Sequence, residues 1–177
     1  METIPAEQRT LVLGGARSGK SAHAERRARE TGRARVYIAT AEAWDEEMRE
    51  RIARHRADRG AGWTTVEAPH DLVETITTWT DPARCVLVDC LTLWLSNRLL
   101  AEADLEKETD ALCAAIEAAT GPLICVSNEV GLGLVPETPL GRRFRDAQGR
   151  VNQRVAEISD RVEFVAAGLP LVLKGKT

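Results

Sequence analysis

Short apolar or β-branched runs alternate with longer amphipathic stretches along this chain. The runs have the length of buried strands and lie at 10–13, 35–39, 63–66, 85–89 and 122–127. Helix-forming patterns lie between and after them, at 21–30, 44–59, 71–79, 91–100, 105–119 and 142–160. Helices between strands predict right-handed βαβ units, and therefore a parallel sheet covered by helices on both faces.

The end of the chain shows a different pattern. Two runs, 162–166 and 169–173, are separated by a turn at Gly168, which predicts an antiparallel C-terminal strand. The whole pattern predicts an α/β fold of three layers, with a mostly parallel central sheet. At 177 residues, the chain fits a single domain spanning 1–177.

The stretch between the first strand and the first helix reads GGARSGKS, residues 14–21. This is the G-x-x-x-x-G-K-S pattern of a phosphate-binding loop, in which backbone N–H groups surround an anion at a helix N-terminus. Lys20 can reach the β- and γ-phosphates, and the hydroxyl of Ser21 can bind Mg²⁺. The structural alternative is a glycine turn that binds nothing. We predict a nucleotide site and a P-loop NTPase-like fold.

Polar residues follow the other predicted parallel strands at the same edge of the sheet. Thr40 ends the second strand, where it either contacts a nucleotide or caps the next helix. Asp89 ends the strand 85–89, where it either holds Mg²⁺ opposite Ser21 or caps the next helix. Asn128 and Glu129 follow the strand 122–127. Glu67, Asp89 and Glu129 are the candidates for deprotonating a substrate hydroxyl.

The charged helix predicted at 44–59 contains one histidine, His55. At about 100° per residue, His55 lies within about 20° of Met48 on the inward-facing side. The residue pattern allows a hydrogen-bonded core histidine. It also allows a nucleophile that attacks phosphorus while Arg54, Arg56 and Arg59 hold the phosphate oxygens. His23 and His70 have weaker claims to a catalytic role.

Composition limits the classes of partner. The formal net charge is −3 and the pI is about 5.7, which argues against nucleic-acid binding by bulk electrostatics and favours small-molecule partners. No apolar run has membrane-spanning length, and the N-terminus lacks a signal-peptide pattern, so we expect a cytoplasmic protein. The arginine-rich helix at 142–160 is either a solvated face or an anion-binding or subunit surface.

The four cysteines show no C-x-x-C spacing. Three of them lie in or beside apolar segments, where a thiol packs as a small hydrophobic side chain. We therefore predict reduced core cysteines rather than a disulfide or a metal site.

Several motifs in order along the chain resemble the bifunctional adenosylcobinamide kinase and adenosylcobinamide-phosphate guanylyltransferase family of cobalamin biosynthesis. The resemblance covers almost the whole chain. It is carried by the phosphate loop, by Tyr37-Ile38-Ala39-Thr40, by the stretch from Asp45 to Arg56 around His55, by Asn128-Glu129-Val130-Gly131, by Phe144-Arg145-Asp146, and by the stretch from Gly149 to Gln153.

The resemblance implies two reactions. ATP or GTP phosphorylates the terminal hydroxyl of adenosylcobinamide, and GMP then passes from GTP through a guanylyl-histidine to the new phosphate, giving adenosylcobinamide-GDP. It implies that His55 is the guanylylated residue and that Lys20 is also catalytic. It further implies Mg²⁺ as cofactor and a homo-oligomer, namely a trimer. The nucleotide-binding positions that it implies are Gly14, Gly15, Ala16, Arg17, Ser18, Gly19, Lys20, Ser21, Ala39, Thr40, Ala41, Arg56, Ala57, Asp58, Arg59, Glu67 and Asp89.

Two other functions are compatible with the residues. An ordinary small-molecule P-loop kinase would use Lys20, Ser21 and Asp89 without any covalent intermediate. A nucleotide-gated regulatory module would hydrolyse GTP slowly and capture a partner. Only the two-step enzyme would release pyrophosphate from GTP and gain one GMP on the chain.

Overall fold

The structure, a computed structural model, describes residues 8–43 and 46–176, apart from the side chains of Met48, Arg51, His55 and Asp58. The strands are β1 (Arg9–Gly14), β2 (Ala34–Ala39), β3 (Trp63–Glu67), β4 (Arg84–Asp89), β5 (Leu123–Asn128), β6 (Arg161–Ala166) and β7 (Leu169–Lys174). The helices are α1 (Lys20–Glu30), α2 (Glu46–Arg59), α3 (Leu72–Trp79), α4 (Leu91–Leu100), α5 (Leu105–Glu117) and α6 (Pro139–Ile158).

The described strands form one seven-stranded sheet in the order β3-β2-β4-β5-β1-β6-β7. Every neighbouring pair is parallel except β6 and β7, which are antiparallel. Because β5 lies between β1 and β4, the strand that leads into the phosphate loop and the strand that ends in Asp89 are not direct neighbours. The α/β fold and the antiparallel C-terminal strand are confirmed.

Helices cover both faces of the sheet. On one face, Ala24 and Ala28 of α1 pack against Val12, Leu87 and Val126. On the other face, α3, α4, α5 and α6 supply the buried side chains that pack against the strands, among them Ile76, Trp94, Leu112 and Val151. The three-layer arrangement follows from strands that are apolar on both faces, which only helices on both sides can bury.

The last long helix begins earlier than the sequence pattern predicts. Thr138 caps α6 by accepting a hydrogen bond from the Gly141 N–H at 3.1 Å, and Pro139 occupies the first helical turn. Proline suits that position because its backbone dihedral is already helical and it has no N–H to leave unpaired. These two residues therefore begin the helix before the arginine-rich stretch.

Candidate active site

The phosphate loop connects the carboxyl end of β1 to α1. The Lys20 ammonium folds back over the loop and donates to the Gly15 carbonyl at 3.0 Å. The N-cap of α1 is Gly19, without any side-chain cap, and no acidic residue lies in the first turn. The first N–H groups of α1 have no partner within the helix, so they are available to an anion together with the positive end of the helix dipole.

Tight packing explains two of the loop glycines. A Cβ on Gly14 would lie 2.4 Å from the Ser18 hydroxyl oxygen and 2.6 Å from the Val165 carbonyl oxygen. Gly19 has φ +92°, and its Cβ would lie 3.0 Å from Cα of Gly168. The turn between β6 and β7 also contacts the loop, because the Gly168 N–H donates to the Ser18 carbonyl at 2.7 Å. The loop is therefore held by the C-terminal hairpin as well as by its own glycines.

The predicted site residues at the strand ends meet along one edge of the sheet. Ala39 of β2 is in register with both Glu67 of β3 and Asp89 of β4. Gly14 of β1 is in register with Asn128 of β5. The parallel sheet therefore brings these separate segments to the carboxyl edge, where open α/β sheets bind ligands.

The Asp89 carboxylate is half-buried and accepts a hydrogen bond from the Tyr37 hydroxyl at 3.0 Å. Burial raises the pKa of Tyr37, and the neighbouring Asp89 charge raises it further. The phenol therefore remains a proton donor to Asp89 at physiological pH.

The donor set fits a magnesium ion held jointly with substrate. Within residues 8–43 and 46–176, no three Asp, Glu, His or Cys side chains are grouped as a metal site by themselves. Mg²⁺ is commonly bound through one or two carboxylates, several waters and substrate phosphates. One hydroxyl at Ser21 and one carboxylate at Asp89 suit that arrangement.

The Thr40 side chain is committed to the fold. Its hydroxyl donates to the Cys90 carbonyl at 2.6 Å and accepts from the Cys90 N–H at 2.8 Å. The Thr40 carbonyl accepts from the Asn97 amide at 2.9 Å. These bonds join the end of β2 to the segment that follows Asp89, so Thr40 positions the edge of the site from a fully buried place.

The residues of α2 divide into exposed and buried positions. Arg54, Arg56 and Ala57 are exposed, whereas Arg59 is only 7% exposed. The Arg59 guanidinium lies 3.4 Å from the centroid of the Tyr37 ring and donates to the Thr65 hydroxyl at 3.3 Å. His55 and Asp58 lie on this helix, but their side chains fall outside the described residues, as do Trp44 and Asp45.

The three carboxylates considered for deprotonating a hydroxyl have different surroundings. Glu67 is exposed at the end of β3. Asp89 is hydrogen-bonded by Tyr37. Glu129 folds back to accept the N–H of Gly131, so its Oε1 is engaged in its own loop.

A buried amide network behind β5 was missed by the sequence analysis. Gln148 is fully buried on α6, and its amide nitrogen donates to the Ser127 hydroxyl and to Asn152 Oδ1, each at 2.9 Å. The Ser127 hydroxyl donates to Asn152 Oδ1 at 2.6 Å, and the Asn152 amide donates to the Asn128 carbonyl at 3.1 Å. The arginine-rich helix therefore has a polar buried side in addition to its charged exposed residues, which periodicity alone did not distinguish.

The remaining histidines are each hydrogen-bonded to a carboxylate. His23 Nε2 lies 2.7 Å from the Glu163 carboxylate, and both side chains are buried. His70 Nε2 lies 2.6 Å from the Glu42 carboxylate. All four cysteines are buried free thiols, as predicted. None of the described helices is long and apolar enough to cross a membrane.

Comparison with known proteins finds, along nearly the whole chain, the same family that the sequence motifs resemble. The family model for cobinamide kinase / cobinamide phosphate guanyltransferase matches residues 10–173. The bifunctional adenosylcobalamin biosynthesis protein CobP of Pseudomonas aeruginosa is 52% identical over 170 residues, which cover 95% of this chain and 98% of that protein. The bifunctional adenosylcobalamin biosynthesis protein CobU of Salmonella typhimurium is 38% identical over 179 residues, covering 93% and 98%.

Among solved structures, a protein from Pyrococcus horikoshii OT3 matches with a TM-score of 0.55 at 10% identity, covering 97% of this chain and 88% of that one, which supports the fold alone. The comparisons with related sequences thus confirm the family that the motifs resemble, together with both of the family's activities. They give no support to an ordinary small-molecule P-loop kinase. The chain belongs to the CobU family of cobinamide kinases and cobinamide phosphate guanyltransferases.

Proposed function

We propose that this chain, working as one nucleotide-binding domain over 1–177, phosphorylates adenosylcobinamide and then guanylylates the product at the carboxyl edge of its sheet. The observation that carries the proposal is the convergence of Lys20, the uncapped N-terminus of α1 and Asp89 at that edge, in a chain of this family. A triphosphate needs these groups, because fixed N–H donors and cations stabilise its charge.

In the kinase step, the terminal hydroxyl oxygen of adenosylcobinamide bonds to the γ-phosphorus of ATP or GTP. The bond between that phosphorus and the β–γ bridging oxygen breaks, the nucleoside diphosphate leaves, and the hydroxyl proton passes to solvent. Lys20 and the loop from Gly14 to Ser21 hold the phosphates. Mg²⁺, bound through Ser21 and Asp89, would neutralise charge on the phosphate oxygens.

In the transferase step, a ring nitrogen of His55 bonds to the α-phosphorus of GTP and pyrophosphate leaves. An oxygen of adenosylcobinamide phosphate then bonds to the same phosphorus, the phosphorus–nitrogen bond breaks, and adenosylcobinamide-GDP forms. The covalent intermediate divides one transfer into two displacements. Ala39, Ala41, Arg56, Ala57, Asp58, Arg59 and Glu67 complete the proposed nucleotide-binding set, and the buried Thr40 holds the edge of the sheet beneath them.

The test is the intact mass of the protein after incubation with GTP and Mg²⁺. We expect one added GMP through an acid-labile, alkali-stable bond, release of pyrophosphate, and loss of the adduct in His55→Ala. His70→Ala is the matched control and should label normally. An adduct that persists in His55→Ala would assign the nucleophile to another residue.

We also propose a cytoplasmic homo-oligomer, specifically a trimer. Two apolar surfaces support association of identical chains. In the segment after β5, Leu132 is 83% exposed and Leu134 is 97% exposed, and along β7 Leu169, Leu171 and Leu173 are exposed as well. Exposed leucines grouped in this way are typical of interaction surfaces.

A further inference from the structure

Asn128 is the last residue of β5, and its side chain carries a buried polar atom. Its amide oxygen Oδ1 is buried, yet it makes no hydrogen bond with any described residue. Buried polar side-chain atoms in native proteins nearly always have a partner, and exceptions call for a ligand, a water or a functional role.

The alternation along β5 shows which way Asn128 faces. Val126 packs with the α1 side of the core, and Ser127 points to the opposite side, where it bonds Gln148 and Asn152 of α6. Successive side chains on a strand point to opposite faces, so the Asn128 side chain lies on the α1 side. That is the side on which the phosphate loop turns into α1.

The backbone of β5 places Asn128 beside the first residue of the loop. Asn128 is in register with Gly14, the first residue of the phosphate loop, and the Glu129 N–H donates to the Gly14 carbonyl at 3.0 Å. β5 also lies between β1 and β4, and therefore between the strand leading to Lys20 and the strand ending in Asp89.

Two helices hold the Asn128 backbone in place. The Asn128 N–H donates to the Thr92 hydroxyl of α4 at 2.8 Å, and its carbonyl accepts from Asn152 of α6 at 3.1 Å. The backbone of Asn128 is thus fully bonded, while its side-chain oxygen has no hydrogen-bond partner within residues 8–43 and 46–176. This is the arrangement expected of a group that is preorganised for a ligand.

We propose that the Asn128 carboxamide contacts the reacting groups of the kinase step. Its NH₂ donates to an oxygen of the transferring γ-phosphoryl group, and its Oδ1 accepts from the attacking hydroxyl of adenosylcobinamide. A carboxamide has one donor and one acceptor end, so it can align a nucleophile and an electrophile at once. The bonds that form and break are those given above for the kinase step, on which this inference rests.

Asn128 is expected to affect the two reactions of the enzyme to different extents. α2 connects β2 to β3, whereas β5 is two strands away from β2, or about 10 Å at the usual spacing of neighbouring strands. A side chain beside the phosphate loop should therefore affect γ-phosphoryl transfer more than the attack of His55 on the α-phosphorus.

The experiment compares both steps in Asn128→Ala and Asn128→Asp. Transfer of the γ-phosphoryl group from ATP to adenosylcobinamide should fall about tenfold to a hundredfold in kcat, the loss typical of a hydrogen bond to a charged group, with KM for ATP within about threefold. Asn128→Asp should lose at least as much, because its charge repels the phosphoryl group. Guanylylation of the protein by GTP should stay within about threefold of the unsubstituted chain.

Gln8→Ala is the matched control, because it removes a carboxamide beside the amino end of β1, at the opposite edge of the sheet. It should leave both steps unchanged. Thermal midpoints of Gln8→Ala and Asn128→Ala should match that of the unsubstituted chain, because Asn128 Oδ1 makes no hydrogen bond with any described residue. Asn128→Asp should melt lower, because it places a charge at a buried position. If Asn128→Ala does not fold, the isosteric Asn128→Asp decides. Kinase activity within threefold in both Asn128 variants, or equal loss of both steps, overturns the proposal. Failure of the unsubstituted chain to label with GTP overturns the proposed transferase and leaves the kinase comparison intact.

Discussion

At the residue scale, the contacts around Asp89 define how the candidate metal ligand is oriented. The Tyr37 hydroxyl donates to one carboxylate oxygen of Asp89, and the Arg59 guanidinium stacks over the Tyr37 ring. Groups that hydrogen-bond a metal ligand fix its orientation and its affinity for the metal. Tyr37 is therefore expected to act on Mg²⁺ binding through Asp89, without touching the ion.

Tyr37→Phe removes the hydroxyl and keeps the ring that packs against Arg59. We expect the affinity for Mg²⁺ in the presence of GTP to fall by about tenfold to a hundredfold, with the fold retained. Direct titration with Mn²⁺, followed by electron paramagnetic resonance, measures this effect without relying on turnover. Ser159→Ala, which removes a buried hydroxyl bonded to the Val155 carbonyl, is the control and should bind Mn²⁺ normally. Equal affinity in Tyr37→Phe would contradict the role assigned to Tyr37.

At the element scale, a buried ion cluster joins α1 to β6 beneath the phosphate loop helix. Glu163 is only 1% exposed, and it accepts hydrogen bonds from His23 and Arg161, each at 2.7 Å. Arg27 lies 3.4 Å from the same carboxylate. The helix that carries Lys20 is thus fastened to the sheet by charge as well as by its alanine face.

Burial opposes ionisation of Glu163, but the hydrogen bonds from His23 and Arg161 and the charge of Arg27 outweigh it and lower the pKa below 4.5. A carboxyl whose pKa is lowered in the folded state stabilises the fold fully above its unfolded pKa. That contribution is lost as the pH falls through the folded value. The cluster should therefore make unfolding strongly dependent on pH in the acidic range.

Glu163→Gln should lower the free energy of unfolding by about 3 kcal/mol near pH 7, because it removes the buried negative charge that the partly buried Arg27 and Arg161 guanidinium groups face. Urea unfolding between pH 3 and pH 7 measures both the loss and its pH dependence. The difference between the two proteins should shrink as the pH falls below 4.5. Glu117→Gln, at an exposed position, should match the unsubstituted chain. A constant difference across this pH range would show that Glu163 is not the titrating group.

At the scale of the whole molecule, several large leucine side chains are exposed to solvent in the single chain. The β7 edge strand carries Leu169, Leu171 and Leu173, each more than half exposed. An apolar edge strand is a pairing or packing surface unless something covers it. We expect other copies of the chain to cover it.

Leu171→Lys places a charge in the middle of this surface. Sedimentation velocity should show a trimer for the unsubstituted protein and a species of 19.4 kDa for the variant. Lys substitution of Leu100, an exposed leucine at the end of α4, is the control and should leave the assembly intact. If Leu171→Lys assembles as the unsubstituted chain does, β7 is not part of the interface between copies.

Local patterns were sufficient for most elements of the fold. The strand pattern predicted β1, β2, β4 and β5 within a residue or two, and the turn at Gly168 predicted the β6–β7 hairpin. The largest shift was the start of α6, where the Thr138 cap and Pro139 were not recognised. Alternation and length are properties of neighbouring residues, so they are visible without any tertiary contact.

The residues of the candidate site also fall into two groups, those that the sequence could predict and those that it could not. The phosphate loop and Asp89 were predicted from spacing, because these groups act as a contiguous stretch or at a strand end. The role of His55 was predicted only from the family resemblance, since its pattern alone also allowed a core histidine. The sequence did not predict the buried network of Gln148 and Asn152 or the cluster around Glu163. Each of them depends on partners far along the chain, such as His23 with Glu163 and Ser127 with Asn152.

The sequence by itself determined the kind of sheet, the location of the phosphate loop and the family, because short motifs and hydrophobic periods carry that information locally. Only the tertiary structure decided that β5 separates β1 from β4, that Arg59 is buried on Tyr37, and that Asn128 Oδ1 is buried without a hydrogen bond to any described residue. The reason is physical: strand order, burial and the satisfaction of polar groups depend on which distant segments pack together.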